Sequence, residues 1–288
     1  MPARQQDWDV TTADGVRLVG DDQGPPDGPP IVLLHGLSSN LRWWDPVAAR
    51  LALRYRVVRY DQRGHGRSSD GSTGGYTVDR LASDAVHVLD HLSLDRVVLA
   101  GHSAGADVAS VAADAYPDRV AGLALVEGGV YDPRLLFGDT WHVAWPRMSS
   151  DRWAPTTEAV LAAYLAGATS SLPREALPAL LGNYTRDEHG YLWPRLPHRA
   201  CEQLAYSLWR RDPIRSLQAA AAPVLVVAAQ VDGRLDEPRR ESIRRAWAHL
   251  GDRLRVVWLP GGHELPLQQP TAVAAALADL AAMSGSPA

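Results

Sequence analysis

Gly101-His102-Ser103-Ala104-Gly105 spells G-x-S-x-G where the apolar run "RVVLAG" (96–101) meets the start of a helical pattern at 104. A serine hydroxyl there has two possible uses: it can cap the helix N-terminus, or stand on a tight strand-to-helix turn as a nucleophile. A cap does not need a glycine on each side. A nucleophile in such a turn does, because neighbouring Cβ atoms would collide with strand and helix. The pattern favours nucleophilic catalysis, which requires a histidine as base and a carboxylate to orient it. His263 is the best placed of the ten histidines. It lies in "LPGGHELP" (259–266), after the last strand pattern, and two glycines let the loop turn the ring back. His87 and His91 form an i,i+4 pair without the Glu of HExxH and read as helix surface, so no metal site is expected.

The elements needed to position these groups are legible. A hairpin is expected over 8–20, turning at "ADG" (13–15), before the breaker "DDQGPPDGPP" (21–30). Apolar runs at 31–35, 55–61, 96–101, 120–127, 223–229 and 254–260 suit strands covered on both faces. Helical patterns at 44–53, 77–92, 104–115, 237–249 and 270–283 alternate with them, which argues a parallel sheet flanked by helices. Between about 130 and 218 the alternation stops. Prolines cut this stretch into short helices, and five of the ten tryptophans lie in it. It is expected to be a helical insertion over one end of the sheet.

The 288 residues carry a net charge of −4, which gives no basic face for nucleic acid. All 29 basic residues are arginine, which removes Schiff-base chemistry. A single cysteine, Cys201, excludes an internal disulfide, and no apolar run is long enough to span a membrane. With no signal-peptide pattern at the N-terminus, a cytoplasmic location is expected. A small-molecule substrate is the expected partner, with no nucleic acid, no membrane and no cofactor, for a monomer or homodimer.

"HG" (35–36) after the third strand pattern, "YDQRGHGRS" (60–68) after the fourth, "GHSAG" (101–105) and "GGH" (261–263) together resemble the α/β-hydrolase fold superfamily over about 10–283. The resemblance implies an eight-stranded, mostly parallel sheet, a core formed by 1–129 and 219–288, and a helical cap (130–218) inserted after strand six. It also implies the chain order nucleophile, acid, histidine. Asp232, just beyond the strand at 223–229, stands where most relatives carry the acid. Glu127 stands where a minority place a glutamate, and a glutamate at a buried strand end needs a partner. Asp232 is the first choice and Glu127 the alternative. The oxyanion hole would use the backbone N–H groups of Ala104 and Leu37. His102, Trp43, Trp141 and Trp145 are the substrate-pocket candidates.

A serine where related epoxide hydrolases and dehalogenases use a carboxylate, and Ala104 where the haloperoxidase-like branch has methionine, narrow the implied chemistry. The expected activity is that of a serine esterase or lactonase acting on a bulky, largely apolar small molecule. A carbon–carbon hydrolase of a diketone-like substrate is the alternative, followed by a non-catalytic ligand receptor on the same fold.

Overall fold

The computed structural model describes residues 5–71, 75–149, 153–167, 172–217, 221–230, 233 and 235–285. β1 (Gln5–Thr11) and β2 (Arg17–Gln23) pair antiparallel around a turn that Gly15 closes at φ 84°. There follow β3 (Pro30–Leu34), α1 (Asp45–Leu51), β4 (Arg56–Asp61), α2 (Val78–His91), β5 (Val97–His102), α3 (Ala104–Ala115) and β6 (Val120–Val126). The chain then runs through α4 (Pro133–Phe137), α5 (Trp141–Met148), α6 (Glu158–Ala166), α7 (Leu177–Leu181), β7 (Tyr184–Arg186), β8 (Leu192–Pro194) and α8 (His198–Trp209). It returns through β9 (Val224–Gln230), α9 (Asp236–Leu250), β10 (Leu254–Pro260), α10 (Leu265–Gln268) and α11 (Pro270–Met283).

The main sheet has the order β1-β2-β4-β3-β5-β6-β9-β10, parallel except where β2 meets β1 and β4. Strand alternation sorts the apolar residues onto two faces. Val32, Leu34, Leu99, Leu123, Leu125 and Val226 share a buried cluster with residues of α2, α3 and α9. Ile31, Leu33, Val98, Ala100, Val126 and Val227 pack with α1 and α11. Because the chain passes from β3 to β4 on one side and from β5 to β6 on the other, the connections leaving β3 and β5 diverge. The loops after β3 and β5 therefore meet at a topological switch point, where open α/β sheets hold their ligands.

The segment between β6 and β9 is fastened to this core by apolar packing and hydrogen bonds. Ala200, Cys201, Leu204 and Leu208 of α8 belong to the same apolar cluster as the sheet, and Val78 N–H donates to Ser207 Oγ at 3.0 Å. Leu165, Ala176 and Ala179 pack with Trp43 and Leu267 in a separate cluster. The two-stranded pair β7–β8 was not legible, since three-residue strands are too short to show a period of two. No helix among the described residues is long and apolar enough to cross a membrane.

Candidate active site

Ser103 occupies the turn from β5 into α3 with φ 54° and ψ −126°, and its side chain makes no capping bond to the helix. The backbone N–H of Ser103 donates to Val126 O at 2.9 Å, which ties the turn to β6. Its glycines are sterically required. A Cβ on Gly101 would come 2.1 Å from Gly105 O, and one on Gly105 would come 2.4 Å from His35 O. On the other side, a Cβ on Gly128 would lie 2.3 Å from Ser103 O. Strand, helix and both neighbouring loops are packed backbone to backbone around the half-buried serine.

His263 Nε2 lies 2.9 Å from Ser103 Oγ. On its other side, Nδ1 stands 3.5 Å from Glu127 Oε2. Glu127 leaves the end of β6 at φ 55° and is almost fully buried, whereas the His263 side chain is 52% exposed. Oε1 of Glu127 accepts the Ala229 N–H at 2.6 Å and a guanidinium N–H of Arg239. Burial alone would push the Glu127 carboxyl up. The hydrogen bond to His263 and the charge of Arg239 outweigh it and hold the group below its ordinary value. For His263, desolvation disfavours the charged ring. The bond to Glu127 and the charges of Glu264 and Glu127 exceed that effect, and the imidazole titrates above its ordinary value. Asp232, the first-choice acid from the sequence, lies outside the described residues.

The loop after β3 closes the third side. A Cβ on Gly36 would lie 3.0 Å from Ser103 Cβ, so Leu37 follows directly beside Ser103. Two buried histidines brace this loop. His35 Nδ1 bonds Gly36 O at 2.8 Å, and His35 Nε2 accepts Gln62 N–H at 3.0 Å. His65 Nδ1 bonds Arg63 O at 2.9 Å, and its Nε2 accepts the N–H of Ser38, itself at φ 54°, at 3.2 Å. Both rings are neutral acceptors, because burial lowers His35 to about 4 and His65 to about 3. Ala104 is the first residue of α3, where a backbone N–H has no intrahelical partner.

His102 and Trp43 are buried rather than open to solvent. His102 Nε2 bonds His263 O at 2.7 Å, and Trp43 Nε1 donates to Glu264 Oε2 at 2.7 Å, so both steady the His263 loop. Trp141 and Trp145 stack on each other with centroids 5.4 Å apart, and Trp141 meets Tyr206 of α8 edge-on at 5.0 Å. Arg239 and Tyr131, which surround Glu127, had no motif to announce them. Their only sequence signal was the demand of a buried carboxylate for a partner. Among the described residues no cluster of His, Cys, Asp or Glu is arranged to hold a metal ion.

Comparison with known proteins identifies the family of the fold. 2-(Acetamidomethylene)succinate hydrolase of Mesorhizobium japonicum is 28% identical over 203 residues, covering 70% of this chain and 71% of that one. A crystal structure of E-2-(acetamidomethylene)succinate hydrolase superposes with a TM-score of 0.80 at 25% identity, over 96% of this chain and 99% of that chain. The non-heme chloroperoxidase of Streptomyces lividans is 42% identical over 119 residues, but that match takes in only 41% of this chain and 43% of the chloroperoxidase. The family described by the alpha/beta hydrolase fold matches residues 29–270. With that match and a mostly parallel sheet carrying a serine on the β5–α3 turn, the chain belongs to the α/β-hydrolase fold family.

Proposed function

We propose that this chain is a serine hydrolase that cleaves a carboxylic ester or lactone of a bulky, largely apolar small molecule through an acyl-enzyme. The observation that carries this reading is the 2.9 Å approach of His263 Nε2 to Ser103 Oγ, with the Glu127 carboxylate on the opposite ring nitrogen. Ser103 is the nucleophile, His263 the general base and acid, and Glu127 the acid member of the triad. Its position beside Nδ1 favours Glu127 over Asp232.

In this mechanism Ser103 Oγ bonds to the carbonyl carbon while Nε2 takes its proton. The developing oxyanion receives the backbone N–H groups of Leu37 and Ala104, each such donor being worth about 10²–10³ in rate. Collapse breaks the bond to the alcohol oxygen, which leaves with the proton from Nε2. Water then attacks the acyl carbon, gives a proton to Nε2 and releases the carboxylic acid, and Ser103 regains its hydrogen. Throughout, Glu127 fixes the ring orientation and stabilises the imidazolium. The apolar reading of the substrate draws on Leu37, the partly buried residue that follows Gly36 beside Ser103.

A hydrolysis panel of short esters, large lactones and a diketone, run on the wild type and Ser103→Ala, tests the proposal. Turnover of esters or lactones that vanishes in the variant supports it. Preferential cleavage of the diketone would replace it with carbon–carbon hydrolysis, and tight binding of a ligand with no turnover at all would replace it with a receptor role.

A further inference from the structure

A second buried charge stands behind the acid of this site. Arg239, on α9, is 6% exposed, and its Nη2 donates to both Glu127 Oε1 and Tyr131 Oη, the latter at 3.0 Å. Its Cζ lies 4.9 Å from the centre of the Tyr131 ring, so the guanidinium is clamped on its face as well as its edge. The donors are unevenly shared. Oε1 receives Arg239 and the Ala229 N–H, with Tyr131 Oη at 3.4 Å, while Oε2 is the oxygen turned to His263.

We propose that Arg239 is a positioning residue for the Ser103–His263–Glu127 system: it locks Glu127 in the rotamer that presents Oε2 to His263, and its charge keeps that pair ready for proton abstraction at lower pH. The inference rests on the reading of Ser103 as nucleophile. A carboxylate this deeply buried tends to take up a proton, and a protonated Glu127 cannot stabilise an imidazolium. The fixed cation opposes that, together with the hydrogen bond to His263. The charge of Arg239 also works against a proton on His263, which the carboxylate neighbours favour. A buried ion pair is not in itself a stabilising device, since desolvation of both charges offsets their attraction. The functional placement, on one oxygen of an acid whose other oxygen meets the base, accounts for its presence here.

Among the described residues, few groups face this pair from other elements. Glu264 shares the His263 loop and is held by Trp43; His102, at the end of β5, is kept neutral chiefly by burial and bonds His263 O. Asp107 of α3 accepts the Gly129 N–H at 3.3 Å and is matched by Arg211 at 3.5 Å. Arg211 is thus occupied by Asp107, and Arg239 is the guanidinium paired with Glu127.

The test is the second-order rate at which a fluorophosphonate modifies the folded protein, measured against pH. Serine oxygen bonds to phosphorus, fluoride leaves, and the serine proton passes to His263, so the acid limb reports the His263–Glu127 pair without a known substrate. In Arg239→Gln the limb should move up by ~0.5–1.5 pH units, whether the excess proton sits on His263 or on Glu127. Arg239→Lys keeps the charge and should return the limb to within a few tenths of a unit of wild type. A purely structural arginine would lower the fraction modified at every pH and leave the limb in place, which would overturn the proposal. Should Arg239→Gln not fold, Glu127→Gln and Arg239→Gln/Glu127→Gln supply the comparison, since neither leaves a buried carboxylate unpaired. The double variant must then show the higher limb, since only the single variant keeps the Arg239 charge near His263, and coincident limbs would overturn the role proposed for that charge. A wild type whose Ser103 is not modified at all would instead overturn the nucleophile reading, an outcome separate from either limb result.

Discussion

Ser103 and Glu127 leave the ends of adjacent parallel strands side by side and at the same positive φ, 54° and 55°. The register pairs His102 with Val126, so the two residues are the next rung beyond the ladder. Neither is a glycine, and the left-handed region costs an ordinary residue on the order of 1–3 kcal/mol. The ladder, the Ser103 N–H bond to Val126 O and the Glu127 N–H bond to Val227 O hold both in place. Backbone strain thus coincides with the two side chains that meet His263, on either side of its ring.

Glu127→Gln keeps the shape of the side chain and removes its charge. The rate should fall by about 10²–10⁴-fold, because His263 loses its orienting partner. Arg239 is then left as an unpaired buried cation, at a cost of about 3–5 kcal/mol. Both effects should appear together, in steady-state kinetics and in thermal denaturation. Should Asp232→Asn produce the rate loss while Glu127→Gln leaves kcat unchanged, the acid is Asp232.

Gly105→Ala probes the crowding around the turn. Its new Cβ would meet Leu34 O at 2.5 Å and His35 O at 2.4 Å, both backbone atoms that cannot rotate away. Either α3 or the loop carrying Leu37 must shift, costing about 1–3 kcal/mol or more. Chemical denaturation should show that loss, and the rate of Ser103 modification should fall with it, because a shift of that loop displaces the proposed Leu37 donor. Unchanged stability would mean that the backbones are not in this contact.

Much of this was readable before the fold. The Ser103 turn and the His263 loop are legible because glycines mark them in the sequence, and Gly101 and Gly105 prove to be steric necessities. The parallel strands were legible because burial on both faces leaves uninterrupted apolar runs. Arg239 was not. An arginine in "DEPRRES" looks like one more charge on a surface helix, and only the packing of α9 over Tyr131 turns it inward. Similarly, "HG" and "GHG" announced loops, but not that His35 and His65 would each be an acceptor for a neighbouring backbone N–H.

Those two histidines predict acid sensitivity. The fold holds His35 at about 4 and His65 at about 3, whereas the unfolded chain takes up protons near the ordinary 6.5. Stability is therefore full above about pH 7 and falls as pH drops through 6.5 towards 4, by a few kcal/mol in all. Asp107, pushed up to about 6 by burial, gains stability in part of that range and offsets only some of the loss. Urea titrations at pH 7.5, 6 and 4.5 (roughly spanning the window set by these values) should show a declining midpoint. A flat profile would mean that the two rings are solvated.

α8 is packed as part of the core. Leu204 is 1% exposed within the cluster that also holds Leu99 and Leu123 of the sheet. Leu204→Ala should therefore cost about 2–5 kcal/mol and lower the single unfolding transition. A cost near zero, or a separate early transition, would show that this helix folds independently of the sheet.

The most direct test of the central claim is rapid mixing of the protein with an activated chromogenic ester, followed by mass analysis of the quenched enzyme. The account predicts a burst of one leaving group per active chain and an acyl group on the peptide that carries Ser103, with burst and adduct both absent in Ser103→Ala. Steady turnover with no adduct, or a burst that survives in Ser103→Ala, would contradict it.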